Sequence, residues 1–220
     1  MPEKRDWTRE ELQRDYVGQM TAVTLPVEIK MEGTNRIFDF NQAEAILKKA
    51  NLISLGDCIC RNKVQACDGP IDVCLGIDKE AEIMISKGKG RKVTLNEALF
   101  ALKQSHDAGL VHMSYTDKGE AEPFIICSCC ACCCHSLAGL MRFDFPELVV
   151  ESDHVAFQNE DDCIHCGACV DRCHFNARSM ENGTLNYEPS KCFGCGVCVS
   201  TCPVEAISMV KRSEIESRKD

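Results

Sequence analysis

The chain has 220 residues, enough for one large domain or two small ones, and a hydrophobic content of 45% marks it as folded rather than disordered or fibrous. A net charge of −9 disfavours a nucleic-acid backbone as partner, and no run approaches the roughly 18–20 consecutive apolar residues of a membrane helix. Residues 1–8 lack the apolar core of a secretory signal, so a reducing, cytoplasmic setting is expected for the 18 cysteines.

In chain order, Thr8 with Glu11 three residues on forms a capping-box pattern and predicts a helix over 9–18. Strands are expected over 25–31 and 36–40. Asn41 then caps a helix over 42–49, with Ala43, Ile46 and Leu47 on one face. Cys58, Cys60, Cys67 and Cys74 follow, with Arg61 directly after the C-x-C pair. Four thiols within 17 residues match the needs of one [4Fe–4S] cube or one tetrahedral zinc. Separately used redox thiols are the third reading, and Arg61 is placed to screen thiolate charge.

The basic run 87–92 (KGKGRK) reads as a solvated loop, with docking of an acidic partner as the alternative. Thr94 and Glu97 form a second capping box, opening a helix whose stripe is Leu95, Leu99 and Leu102 and whose stop is Gly109. Strands over 110–115 and 123–128 flank Asp117-Lys118-Gly119 and predict a hairpin.

Six thiols then fall within eight residues: Cys127, Cys129, Cys130, Cys132, Cys133 and Cys134. One cube has four iron corners, so they cannot all serve one. In an extended segment Cys127, Cys129 and Cys133 would face one way and Cys130, Cys132 and Cys134 the other, placing the run between two metal sites. The ten N-terminal thiols supply two four-ligand clusters with two over, or one cluster with six left for exchange chemistry, or a soft-metal store. His135 reads as an ordinary polar residue opening the next helix, with metal ligation as the alternative.

Residues 139–158 contain no cysteine, which puts a boundary near Glu151-Ser152. The expected organisation is α+β: a cysteine-rich mixed domain over 1–150, a second domain over 151–212 and a flexible tail over 213–220. The second domain is a duplication. Sliding the sequence by 29 residues aligns Cys163, Cys166, Gly167, Cys169, Val170, Cys173, Ala177, Ser179 and Met180 with Cys192, Cys195, Gly196, Cys198, Val199, Cys202, Ala206, Ser208 and Met209. Both runs fit the C-x2-C-x2-C-x3-C pattern that binds [4Fe–4S] clusters, and Gly167 and Gly196 permit the tight loops it needs.

Residues from about 160 to 210 resemble bacterial-type two-cluster ferredoxins, and Cys202-Pro203-Val204-Glu205-Ala206-Ile207 matches the usual ending of that family. The resemblance implies a ferredoxin-like βαββαβ module with one cluster on Cys163, Cys166, Cys169 and Cys202. It puts the other on Cys192, Cys195, Cys198 and Cys173. His174 departs from the proline expected there, which would shift one potential. The whole chain is also similar to a group of multi-cysteine iron–sulfur proteins of anaerobes. Gly109-Leu110-Val111-His112 and Phe124-Ile125-Ile126-Cys127 carry that likeness with the cysteine runs, and it implies one or two further clusters, or zinc, in the N-terminal domain.

The function expected is an electron carrier that passes single electrons to or from a partner oxidoreductase, free or as a subunit of a larger complex. One alternative is a reductase whose N-terminal metal site is catalytic, with His112 and His135 as proton donors. The other is a soft-metal or redox sensor.

Overall fold

The computed structural model describes residues 5–32 and 35–216. In chain order the elements are α1 (Arg9–Asp15), β1 (Met20–Thr24), β2 (Glu28–Glu32), β3 (Asn35–Asp39), α2 (Asn41–Lys49), β4 (Ile53–Asp57), α3 (Ile59–Val64), β5 (Asp72–Ile77), α4 (Lys79–Ser86) and β6 (Gly90–Val93). There follow α5 (Leu95–Asp107), β7 (Val111–Asp117), β8 (Ile125–Cys129), α6 (His135–Arg142), β9 (Val149–Val150), β10 (His154–Gln158), β11 (Arg178–Glu181), β12 (Thr184–Tyr187), β13 (Ile207–Lys211) and α7 (Arg212–Glu216). Helices and sheets are both present, as α+β requires. Chain contacts divide it into two compact units, Met1–Val23 with Gln42–Val150, and Thr24–Asn41 with Glu151–Asp220.

The first unit is built on one sheet in the order β6-β4-β5-β8-β7-β1-β9. β4 and β5 are buried on both faces over most of their length, with the small residues Ser54, Gly56 and Gly76 interspersed among Ile53, Leu55, Val73, Leu75 and Ile77. α4 lies on β4, β5 and β6, and α5 crosses β4, β5, β7 and β8. The expected hairpin is present: β7 and β8 pair antiparallel from Val111↔Cys129 to Tyr115↔Ile125. Thr94 and Glu97 close the full capping box of α5.

Several elements differ from expectation. α1 stops at Asp15, and only the Thr8 half of its capping box forms, because the Glu11 carboxylate pairs with Lys63 and Arg5. Residues 90–92 of the basic run belong to β6 rather than to a loop, and Arg91 lies 3.6 Å from Glu97. The strand expected over 25–31 begins at Glu28. Before it, Leu25 and Val27 are buried, and Val27 donates its N–H to the Cys195 carbonyl at 3.3 Å.

In the second unit β10 and β13 pair antiparallel along their whole length, and β11 and β12 form a hairpin turned by Asn182-Gly183, both at positive φ. The order is strand, cysteine loop, hairpin, cysteine loop, strand. Where a βαββαβ module has helices, residues 168–172 and 197–201 are turns, since most of each loop is taken up by cysteine positions. The duplication is visible in hydrogen bonds: Ala177 N–H donates to Cys173 Sγ and Ala206 N–H to Cys202 Sγ, each at 3.3 Å. α7 occupies part of the expected tail, and residues 217–220 lie outside the described residues.

Gly196 sits at φ +76, and a Cβ there would come within 2.1 Å of the Val27 carbonyl oxygen. Gly196→Ala must therefore push residues 24–27 off the second cysteine loop. A loss of about 1–3 kcal/mol is expected, read as a lowered unfolding midpoint of the anaerobic holoprotein.

Candidate metal centres

All 18 cysteines are free. In the second unit the loops bend so that cysteines from both halves of the repeat meet. One small cavity is lined by Cys163, Cys166, Cys169 and Cys202, with Leu185, Pro203 and Ile207. Another is lined by Cys173, Cys192, Cys195 and Cys198, with Phe175, Tyr187 and Phe193. In each, three thiols come from one loop and the fourth from the other.

The two surroundings differ. Cys166 is exposed, and the apolar side chains of Ile164 and Val204 beside it are 60% and 40% exposed. The second cavity is enclosed by the stacked Phe175 and Phe193 rings, 4.5 Å apart, and by buried Phe175 and Ala177. His174 is half-buried next to Cys173.

Arg178 belongs to both sets of surroundings. It is buried, its Nη1 lies 3.9 Å from Cys169 Sγ and also donates to Gln158, and its guanidinium stacks 4.1 Å over the Tyr187 ring. It also donates to the Cys198 thiol. The 29-residue shift pairs this arginine with Ile207, a core residue in the other half. A buried cation is costly unless negative charge surrounds it, and here the two cysteine sets supply that charge.

In the first unit the ten thiols sort into four and six, along lines that cut across the spacing in the sequence. Cys67, Cys130, Cys132 and Cys133 lie with all four sulfurs within 4.8 Å of one another. Cys67 Sγ is 3.7 Å from Cys130 Sγ and 3.8 Å from Cys133 Sγ. The other six form a closed ring in which each thiol contacts the next: Cys58, Cys60, Cys134, Cys129, Cys127, Cys74 and back to Cys58. Cys74 and Cys127 are 3.9 Å apart. Thus Cys58, Cys60, Cys67 and Cys74 do not share one site, because Cys67 turns to the other group.

The expected alternation within 127–134 holds only as far as the strand. β8 ends at Cys129, and Cys134 N–H then bonds the Cys130 carbonyl at 3.0 Å, closing a turn. Cys134 is thereby brought back beside Cys129, while Cys133 goes with Cys130 and Cys132.

Burial and charge explain why the ring needs a partner. Cys58 is held down to about 3 by hydrogen bonds from the Cys60 and Cys74 thiols, whereas Cys60 and Cys127 are pushed up, chiefly by donating to Cys134 and Cys129. Six neighbouring thiols cannot all ionise without a multivalent cation among them. A cavity of about 250 Å³ adjoins the ring, larger than either cavity of the second unit, walled also by Tyr16, Met84, Tyr115 and Phe124.

Arg61 is buried between the four-thiol group and the ring. Its backbone N–H donates to Cys58 Sγ at 3.4 Å, and Nη2 reaches Ser128 O at 3.0 Å and Cys130 Sγ at 3.6 Å. Sequence reasoning missed Tyr115, whose hydroxyl lies 3.4 Å from Cys134 Sγ and 3.7 Å from Cys129 Sγ. His135 is no ordinary polar residue. It is buried, with Nδ1 3.2 Å from Cys60 Sγ and its ring stacked on Tyr16 at 4.0 Å. His112 is on the opposite face of the sheet from the thiols, hydrogen-bonded to Ser128 at 3.0 Å, and burial pushes its pKa down to about 3. It is not placed to serve the ring.

Comparison with known protein families matches residues 156–209 to the family model of the 4Fe-4S dicluster domain. The C-terminal part of the chain is thus a ferredoxin-type 4Fe-4S dicluster domain. No curated protein matches the chain. Among the described residues no helix is long and apolar enough to cross a membrane.

The placement of Arg178 gives a measurable consequence. Arg178→Met removes a buried positive charge beside both cysteine sets, so reduction of both clusters becomes less favourable. Both potentials should fall, by on the order of 100 mV for a charge about 6 Å away in an effective dielectric of about 20. A redox titration followed by electron paramagnetic resonance reads the shift, with iron content unchanged.

Proposed function

We propose that this protein relays single electrons to or from a partner oxidoreductase. Its second unit holds one cluster on Cys163, Cys166, Cys169 and Cys202 and another on Cys173, Cys192, Cys195 and Cys198. The observation that carries this reading is the meeting of those two interleaved sets in two separate cavities within the dicluster domain. A [4Fe–4S] cluster stores and releases one electron when bound. The residues around it exclude water, donate N–H bonds to the thiolates and, through Arg178, offset their charge.

Electron exchange takes place at the first set, where Ile164, Val204 and Cys166 reach the surface; Phe175 and Phe193 cover the other. The net charge of −9 favours a partner with a basic docking face. The six-thiol ring holds a further iron–sulfur centre. Eighteen cysteines with no disulfide among them suit a reducing, anaerobic cytoplasm.

A second reading has support of its own. The cavity beside the ring, with Tyr115 and His135 on its wall, is roomy enough for a small substrate, which would make the ring the catalytic site of a reductase fed by the clusters. Oxidation of pre-reduced protein by a small molecule, with no partner protein present, separates this reading from that of a carrier.

Two variants test the main proposal. Cys198→Ala should lose or convert one cluster, removing up to four irons while the other cluster keeps its spectrum; unchanged iron content would contradict the ligand sets. Ile164→Asn, polar but uncharged, should slow electron exchange with a redox partner at least several-fold and leave the iron content and both potentials near their original values.

A further inference from the structure

We infer that Cys67, Cys130, Cys132 and Cys133 hold a single zinc ion as a structural clasp. The inference does not depend on the electron-transfer reading. It rests on sulfur spacing. Four thiolates bound to one zinc at about 2.3 Å sit at the corners of a tetrahedron whose edges are about 3.8 Å. The separations seen are 3.7 Å for Cys67–Cys130 and 3.8 Å for Cys67–Cys133, and all four sulfurs lie within 4.8 Å of one another.

A [4Fe–4S] cube puts each thiolate on a different iron and spreads the four sulfurs to roughly 6 Å. The same chain supplies the control. Among the described residues, the Cys67 group is the one set of potential ligands drawn so close, whereas the cysteines of the dicluster domain stand farther apart around their cavities.

The surroundings also fit one tetrahedral thiolate site. Cys130, Cys132 and Cys133 come from the single turn that follows β8, and Cys67 reaches them from the loop after α3. Backbone N–H groups of Gly69 and Ala66 donate to Cys67 and Cys133, and Arg61 Nη2 donates to Cys130 at 3.6 Å. Four thiolates around one divalent ion leave a net charge of −2, and these donors together with the guanidinium offset it. The four-cysteine set has no open coordination position, which makes it structural rather than catalytic. Its effect is to tie the loop after α3 to the turn after β8. Arg61 and Cys60 on α3, and Cys134 at the end of the turn, are then held in place around the ring.

The test is zinc analysis and zinc X-ray absorption on the whole chain, purified without oxygen from zinc-replete medium. One zinc per chain with four sulfur neighbours at about 2.3 Å and no nearby iron is expected. Cys67→Ser should abolish that zinc while the electron paramagnetic resonance signals of the two dicluster-domain clusters persist. Absence of zinc from the unmodified protein overturns the inference, as does a single iron in the same four-sulfur environment. Loss of about four irons in Cys67→Ser would assign the site to a cube instead. The absorption measurement needs no variant, so failure of Cys67→Ser to fold leaves the inference open to refutation. None of these outcomes alters the count of the clusters in the dicluster domain, which the electron-transfer reading requires.

Discussion

Crowded thiols set the terms for this structure. A thiolate repels its neighbours and loses solvation when buried, so a dense group of them is stable only around multivalent cations or beside buried positive side chains. The chain meets that constraint in both units. Arg61 lies against the ring and the four-thiol group, and Arg178 lies against both cysteine sets of the dicluster domain. Each arginine is almost fully buried, 2% and 4% exposed, which would be destabilising without the sulfur ligands around it.

The two units bring their cysteines together by different means. In the dicluster domain a duplicated loop does so locally. Three cysteines of each set, with two residues between successive ones, lie on one tight turn, and only the fourth crosses over. In the first unit the sheet does it. Pairing of β5 with β8, and of β8 with β7, sets the Cys74 strand beside the Cys127–Cys129 strand, with α3 carrying Cys58 and Cys60 close by. The ring therefore depends on strand register. A slip of one residue in β8 would turn Cys127 and Cys129 to the face now occupied by Ser128 and His112.

What could be read from the sequence follows from that difference. The dicluster loops were legible because their spacing is the site, and the duplication reinforced it. The Thr94–Glu97 cap and the hairpin around 117–119 were legible because their signals are local. The partition of the ten N-terminal thiols was not, since Cys67 joins residues more than 60 positions away and no local pattern records strand pairing. β4 and β5 carried a weak strand signal, because Ser54, Gly56 and Gly76 interrupt short apolar stretches. Asn182-Gly183 was a readable hairpin signal that the cysteine pattern overshadowed. Tyr115 carried no signal beyond its strand, and the role of His135 beside Cys60 depends on a contact between segments 75 residues apart.

The central claim is that each thiol group encloses inorganic ions, with two of the groups filled by [4Fe–4S] clusters. Native mass spectrometry of the intact chain, prepared and sprayed without oxygen, weighs all of them at once. The account predicts a mass exceeding that of the polypeptide by two [4Fe–4S] clusters, one zinc and a further iron–sulfur increment for the ring. A bare polypeptide, or one a few daltons light from disulfide formation, would contradict it.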